Sequence, residues 1–429
     1  MIIERLQIDN FRAIGHIEFA PHRRMNVVIG ANGAGKTAFL EAIACTIDAA
    51  FSEAAELEIR GMTRLVHEAD RQVALGRVRT PELGFSRRDF RVGVHETGLQ
   101  ILLWSKGSTS IISAQEGHNH QVRTTGEAAV PKDGAPIALA TYFGTARSVS
   151  RFSPPPPPAP ALPGRWGAWS RAFHANTDFA SFSEWFVSRS VAESLVHSRT
   201  RNFDHRDPDL QTVREAIRRV IPDCEDVWYQ GDEEGIRVQI RGEPEVGLVE
   251  LSDGYRTMLA LAADLAHRMI VGNPHLGLDS EALVLIDEID QHLHPRWQQT
   301  VLASLLYAFP HAQFFVTTHS PTIIATAEAG QLLVLEKGPD GVTASAPTSA
   351  YGALPQRVLE DVMGLESARA PAVRAKLEEY FGLIAAGEGE GATALAVRDW
   401  LEARFRGQDP VMTRADMEIR RQRRASSRG

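Results

Sequence analysis

The chain has 429 residues, of which 43% are hydrophobic and 23% are charged, and its formal net charge is −8 at pH 7. These values are typical of a soluble globular protein of two or three domains and exclude a uniformly basic nucleic-acid-binding surface. Cys45 and Cys224 are far apart, so we expect no cysteine zinc site and a reducing, cytoplasmic environment. No apolar run is long enough to span a bilayer, so no membrane association is expected.

The N-terminal segment predicts two strands, then a buried strand and a helix. The apolar run 25-MNVVI-29 has the length of a buried strand and leads into a glycine-rich turn. The following segment, 36-KTAFLEAIACTIDAAF-51, places Phe39, Ile43 and Ile47 four residues apart, which is the spacing of one helical face.

The middle of the chain contains the clearest break in the sequence. Residues 52–140 have mixed character with strand-like runs such as 99-LQILLW-104, and 137-IALATYF-143 predicts another strand. The proline-rich run 152-FSPPPPPAPALPG-164 indicates a loop or spacer. Residues 165–221 predict helices and 224–250 predict strands. The basic pair Arg199 and Arg201 is interpreted as solvated surface.

Strands and helices alternate in the second half, which predicts a parallel sheet with helices on its faces. A long helix begins at Asp253 or Gly254. It is followed by strands at 282–286, 313–317 and 332–336, with one helix over 295–309. After residue 355 the pattern is helical. The predicted regions are an N-terminal lobe, a linker with helices and strands, a second lobe and a helical C-terminal region, at 1–150, 151–250, 251–355 and 356–429.

A phosphate-binding loop is predicted at 30-GANGAGKT-37, which fits G-x-x-x-x-G-K-[ST] between a strand and a helix. Its backbone N–H groups and the helix N-terminus would surround phosphate oxygens. Lys36 would reach the β- and γ-phosphates of ATP, and Thr37 would hold Mg²⁺. The expected nucleotide-binding residues are Gly30, Asn32, Gly33, Ala34, Gly35, Lys36, Thr37 and Ala38.

The stretch 283-LVLIDEIDQHLHP-295 would supply the other half of this site. Asp287 follows a buried strand, where a magnesium-binding carboxylate is needed, and Glu288 would orient and deprotonate the attacking water. A zinc site formed by His292 and His294 is the alternative, but the phosphate-binding loop already accounts for an ion near these acids.

Two further motifs could complete the nucleotide site. In 251-LSDGY-255, Ser252 and the backbone of Gly254 would form a second phosphate-binding helix start, although Ser252 or Asp253 could simply cap the helix. In 316-VTTHSP-321, His319 lies just past a strand end, where it could contact the γ-phosphate or serve only as a structural residue.

Together, GANGAGKT, LSDGY, LVLIDE and TTHS resemble the ABC-type ATPase heads of the RecF, SMC and OLD families, over residues 1–50 and 250–340. The resemblance implies an α/β P-loop head, with a mixed sheet flanked by helices, an inserted α+β region and a helical C-terminal region. It also implies a head-to-head homodimer in which Ser252 acts on ATP bound at the partner's Lys36. Arg12, in 10-NFRAIG-15, would approach the nucleotide.

The chain departs from that resemblance at two points. Leu293 and His294 replace the usual Leu-Asp pair, as in OLD-like heads, so His292 and His294 are interpreted as interface residues. The Q-loop glutamine is not identifiable, and three candidates are Gln72, Gln100 and Gln115.

A longer resemblance, including ATYFGTAR and the C-terminal helices, is to the PtuA-like ATPases of Septu-type bacterial antiviral defence systems. It implies a sensor ATPase that acts with a separate nuclease effector, commonly of the HNH type, in dimers or higher oligomers. Two alternatives remain open. One is a RecF-like DNA-repair ATPase that binds DNA, and the other is an ATP-held scaffold with negligible turnover.

Overall fold

We describe the protein from a computed structural model. It defines residues 2–44, 47, 99–105, 108–114, 121–125, 136–145, 164–169, 172–173, 179–231, 235–339, 341–347, 350–406 and 409–426. These residues belong to two compact units, Met1–Pro355 and Gln356–Gly429. The predicted proline-rich spacer at 152–163 and most of the predicted insert at 52–140 lie outside the described residues. Within the described part, no helix has both the length and the apolar character that a membrane crossing requires.

Among the described residues of the first unit, fourteen strands form two sheets. In chain order they are β1 Ile3–Phe11, β2 Ile14–Phe19, β3 Met25–Gly30, β4 Leu99–Ser105, β5 Ser108–Ala114, β6 Gln121–Thr125, β7 Leu139–Phe143, β8 Cys224–Tyr229, β9 Ile236–Ile240, β10 Val246–Gly247, β11 Ala282–Ile286, β12 Ala312–Thr317, β13 Leu332–Gly338 and β14 Gly341–Ser345. The large sheet has the order β6-β5-β4-β1-β2-β14-β13-β3-β12-β11-β7, and the small one β10-β9-β8.

The large sheet is mixed, and its parallel part positions the site. Strands β13, β3, β12, β11 and β7 are neighbours and run parallel. Their carboxyl ends therefore meet at one edge, which is where ligands bind in open α/β sheets. The strands from β6 to β2 pair antiparallel, with β14 joining the two parts of the sheet. The predicted mixed sheet is confirmed.

Eleven α-helices are defined in the described part of the chain. They are α1 36–44, α2 Phe179–Thr200, α3 Pro208–Val220, α4 Asp253–Gly272, α5 Pro295–Gln298, α6 Val301–Ala308, α7 Pro321–Ile324, α8 Pro355–Arg357, α9 Pro371–Ala385, α10 Ala392–Phe405 and α11 Pro410–Ser426. A π-helical turn, Val358–Val362, follows α8. The described residues of the first unit also include three 3₁₀ turns, at Gly164–Trp169, Leu248–Glu250 and Gly277–Asp279.

The prediction of a single helix over 295–309 is wrong, because the structure has two short helices, α5 and α6. The backbone N–H of Thr300 turns back to the Trp297 carbonyl oxygen at 3.0 Å, which tightens the chain between them. The side chain of Gln298 donates to the Leu293 carbonyl oxygen at 3.0 Å and accepts from Ser320 Oγ at 2.7 Å. These contacts tie α5 to two loops of the site edge.

The core lies between the large sheet and α1. Phe39, Ile43 and Ile47 are buried, as their four-residue spacing predicts. The Phe39 ring lies 6.4 Å from the ring of Phe315 on β12, measured between centroids. All five residues of β11 are buried, so both faces of the sheet are covered at this strand.

The second unit is a bundle of α9, α10 and α11 with its own apolar core. The apolar residues of α9 and α10 pack inward, with Val373 and Phe405 at the margin of the core. Arg369 donates to both oxygens of Asp409, at 2.6 and 2.9 Å, which ties the segment before α9 to the start of α11.

Candidate functional site

The phosphate-binding loop leaves the sheet at Gly30, the last residue of β3. Gly30 has a φ of 156°, and a Cβ there would lie 2.5 Å from the carbonyl oxygen of Leu335 on β13. Gly33 and Gly35 have φ values of 77° and 86°. Glycine is therefore required by close approach at the first position and by left-handed backbone at the other two.

The loop turns directly into α1, which begins at Lys36. The N–H of Ala34 donates to the carbonyl oxygen of Ala31 at 3.1 Å, and the N–H of Phe39 to that of Gly35 at 2.8 Å. The free N–H groups of a helix start favour an anion. Asn32 and Thr37 present exposed side chains here, whereas Ala34 and Ala38 are buried and can offer only their backbone.

Lys36 is folded against its own loop. Its Nζ donates to the carbonyl oxygens of Gly30 at 3.0 Å and Ala31 at 3.1 Å, and the residue is 7% exposed. Burial lowers the pKa of the ammonium group, and three carboxylates at the same edge oppose this shift, namely Asp287, Glu288 and Asp290. A buried cation beside a helix start suits a polyanionic ligand.

Asp287 joins two parts of the chain at the end of β11. It is 1% exposed, and its carboxylate accepts hydrogen bonds from Thr37 Oγ1 at 2.7 Å and Thr317 Oγ1 at 2.5 Å. Its backbone N–H donates to the carbonyl oxygen of Phe143, the last residue of β7, at 2.8 Å. The structure therefore brings together the two predicted magnesium-binding residues, and a carboxylate with a threonine hydroxyl is a suitable oxygen set for Mg²⁺.

Glu288 adopts left-handed backbone, with a φ of 47°, which is uncommon for a residue with a side chain. Its N–H donates to Thr317 Oγ1 at 2.7 Å, and the next N–H, that of Ile289, donates to the Thr317 carbonyl oxygen at 2.9 Å. Thr317, which sequence reasoning missed, thus holds the Asp287 carboxylate and the Glu288 backbone through its hydroxyl, and the Ile289 backbone through its carbonyl.

His319 is half-buried just beyond β12, where its predicted role would place it. Asp290 holds the loop in position, since its Oδ1 accepts from Thr318 Oγ1 at 2.6 Å and from the His319 N–H at 3.4 Å. Asp290 is thus a positioning residue for the histidine loop, which its sequence position alone could not reveal.

Ser252 stands at the N-cap of α4, but its side chain makes no capping hydrogen bond and is exposed. Asp253, the other candidate cap, forms an ion pair with Arg256 one turn later. Ser252 therefore occupies the cap position without capping the helix through its side chain, and it is exposed at the start of a 20-residue helix.

Gly254 is buried where α4 meets the segment after Glu288. A Cβ on this glycine would lie 2.5 Å from the carbonyl oxygen of His292. The ring of Tyr255, the next residue of α4, contacts the ring of Trp297 in α5 edge to face, with 4.3 Å between centroids. The start of α4 and the His292 segment therefore form one packed unit within the chain.

Alanine at Gly254 is expected to lower the free energy of unfolding by about 1–3 kcal/mol, because its methyl group must displace the His292 carbonyl. Urea denaturation measures the change. The matched control is Gly382→Ala in α9, where a Cβ meets nothing within 4 Å; it should leave stability unchanged or raise it by up to about 1 kcal/mol. Equal effects of the two substitutions would contradict the close approach.

The two histidines of the same segment are not grouped with a third potential metal ligand among the described residues. Both are exposed, and His294 Nδ1 accepts from the Arg296 N–H at 3.3 Å, capping α5. Across the described residues, no three His, Cys, Asp or Glu side chains are grouped so that they could hold a metal ion by themselves. The zinc alternative therefore lacks the further ligands that it requires.

Arg12 lies in the turn between β1 and β2 with a φ of 53°. Its guanidinium group forms an ion pair with Glu41 of α1, one turn beyond Thr37, and lies 5.4 Å from the centroid of the Phe11 ring. This places the arginine beside the helix that follows the phosphate-binding loop.

Of the three Q-loop candidates, Gln72 and Gln115 lie outside the described residues. Gln100 lies on β4, five positions from β3 in the sheet order, and therefore away from the phosphate-binding loop. The candidate that can be placed therefore does not identify the Q-loop glutamine.

Comparison with known families agrees with this geometry. The family model for the RecF/RecN/SMC N terminal domain matches residues 2–341. The chain belongs to this family. The predicted ABC-type head of the RecF and SMC class is therefore confirmed.

The similarity to two individual relatives extends over only part of this chain. The "Retron Vc95 probable ATPase" of Vibrio cholerae serotype O1 biovar El Tor is 35% identical over 129 residues, which are 30% of this chain and 25% of that protein. The Septu protein PtuA of Bacillus mycoides (strain KBAB4) is 27% identical over 348 residues, or 78% of this chain and 40% of that protein. The chain thus spans less than half the length of these two relatives.

Among solved structures, the SMC head domain from Thermotoga maritima is 11% identical to this family member. The match covers 81% of this chain and 99% of that one, with a TM-score of 0.42.

Proposed function

We propose that the chain is a Mg²⁺-dependent ATPase head that hydrolyses ATP at the edge formed by β3, β11 and β12. The contact that carries this proposal is the 2.7 Å hydrogen bond from Thr37 Oγ1 to the buried carboxylate of Asp287, next to the folded-back Lys36. Residues 250 positions apart thereby form a compact oxygen set beside a helix start. Such a set satisfies the buried carboxylate in the fold and suits a metal–triphosphate ligand.

Each side chain then has a distinct role. The loop N–H groups and Lys36 hold phosphate oxygens, and Thr37 with Asp287 holds Mg²⁺, which supplies charge neutralisation when bound. Glu288 orients water and accepts its proton, while His319 contacts the terminal phosphate. Arg12 steadies α1 through Glu41 and approaches the nucleotide.

Two heads meet face to face in this proposal. The exposed Ser252 and the backbone of Gly254, at the start of α4, act on ATP bound to the partner. His292 and His294 are exposed on the segment packed against this helix start, which suits residues of a subunit interface. A two-fold dimer of this kind has two identical composite sites.

The likeness to ATPases named for retron and Septu systems supports a role in antiviral defence. By the same resemblance, the chain would act in the cytoplasm as the sensor ATPase of a pair whose nuclease, of the HNH type, is a separate protein. Binding of DNA is one form of signal such a sensor could receive.

Phosphate release from ATP by the purified chain tests the proposed activity. Turnover should require Mg²⁺, should stop when the metal is chelated, and should be absent in Lys36→Ala, which also loses nucleotide binding because the buried cation facing the phosphates is gone. Adding double-stranded DNA separates the alternatives, since strong stimulation favours a DNA-sensing or RecF-like engine. ATP binding without measurable turnover would contradict the hydrolytic role and favour an ATP-held scaffold.

A further inference from the structure

The connection between α2 and α3 carries an exposed aromatic ring that the ATPase site does not use. α2 has 22 residues, and residues 201–207 link it to α3. Phe203 lies within this connection and is 70% exposed. The Phe203 ring lies near the ring of the half-buried His197, with 6.1 Å between the two centroids. Exposing a ring to this extent leaves a large apolar surface in water.

The connection is held in a defined shape. The buried Glu193 accepts from the Asp207 N–H at 2.7 Å, and Asp207 in turn caps α3. Arg206 Nη1 donates to the carbonyl oxygens of Phe203 at 2.7 Å and His205 at 3.0 Å. These bonds fix the backbone from Phe203 to Asp207, so that little ordering entropy of this segment remains to be lost when a ligand binds.

Arginines flank the ring along the chain, although the chain as a whole is acidic. Between residues 194 and 206 there are three, Arg199, Arg201 and Arg206, against one acid, Asp204. The adjoining acids are paired, Glu193 with Arg214 and both Asp207 and Asp209 with Arg189. Arg199 and Arg201 are exposed, and neither forms an ion pair with the residues that the structure describes. The interpretation of this pair as plain solvated surface does not account for the ring that lies between them and Arg206.

We infer that this tip, defined as Arg199, Arg201, Phe203 and Arg206, binds single-stranded nucleic acid. Phe203 would stack on a base, and Arg199 and Arg201 would pair with phosphates on either side, while Arg206 holds the loop. A ring that stacks on bases amid cations is the usual platform for single strands. A protein partner would call for a contiguous apolar patch, whereas the residues adjoining Phe203 in the chain, Asn202 and Asp204, are polar.

Fluorescence anisotropy of a labelled oligothymidylate, without nucleotide, tests this site independently of the ATPase. Phe203→Ala should weaken binding about tenfold, since stacking contributes strongly per base. The Arg199→Ala/Arg201→Ala double variant should also flatten the dependence of log affinity on log salt by about 1.4, for two lost phosphate contacts on a single strand. An oligouridylate and a DNA duplex of equal length distinguish RNA, DNA single strands and duplex as ligands.

Matched controls remove comparable groups elsewhere. Tyr307→Ala deletes another ring, which is 68% exposed, and Arg23→Ala/Arg420→Ala deletes two other exposed arginines. Both controls should bind as the parent does. Equal affinities of Phe203→Ala and Tyr307→Ala would overturn the assignment. Preference for duplex over both single strands would also overturn it, and so would an absence of oligonucleotide binding at low ionic strength, which would leave a protein as the tip's partner.

Discussion

Replacing Glu288 by glutamine is expected to abolish steady-state ATP hydrolysis while nucleotide binding is retained. A positioned general base contributes about 100-fold to 10,000-fold to a rate, and the amide cannot accept the proton of the attacking water. The substitution preserves side-chain shape and leaves intact the backbone bond from residue 288 to Thr317 Oγ1, at 2.7 Å in the parent. Loss of turnover would therefore report chemistry rather than misfolding.

The same variant should accumulate an ATP-bound dimer, because hydrolysis is the step that releases the two heads from each other. Light scattering after size-exclusion chromatography with Mg²⁺ and ATP measures this mass. Lys36→Ala serves as the control that binds no nucleotide and stays monomeric under the same conditions. Parent-like turnover in Glu288→Gln would show that another group is the base.

Short-range patterns predicted half of this site well. The motif GANGAGKT predicts the phosphate-binding loop from local sequence, because the flanking strand and helix adjoin it in the chain. Backbone geometry requires glycine at Gly30, Gly33 and Gly35. The apolar run before Asp287 likewise predicts a buried strand that ends in a carboxylate.

Long-range contacts were not predictable in this way. Thr317 reaches Asp287 across 30 residues, and Thr318 reaches Asp290 across 28, through a strand order that no local pattern specifies. The break between α5 and α6 depends on Gln298 bonding to Leu293 and Ser320, a tertiary preference that overrides a helical pattern. The exposure of Phe203 could not be predicted from the sequence either, because solvent exposure depends on the tertiary fold.

Arginine at Ser252 is expected to block turnover while ATP binding by each chain is preserved. The serine is exposed at the start of α4, so a larger side chain can be carried without disturbing the core. In a face-to-face dimer, however, this side chain would enter the partner's phosphate site, beside that subunit's Lys36. Fluorescent-nucleotide binding should match the parent, and phosphate release should fall to the level of Lys36→Ala. Normal turnover would remove Ser252 from the site.

The most direct test of the composite site is phosphate release by an equal mixture of Lys36→Ala and Ser252→Arg chains, each inactive alone. A mixed dimer has one intact site, formed by the Lys36 of one chain and the Ser252 of the other. If the two variants pair at random, half the dimers are mixed and each has one competent site of two, so activity should recover to roughly a quarter of the parent value. A mixture that remains as inactive as its components, with mixed dimers verified by differential tagging, would contradict catalysis across the dimer.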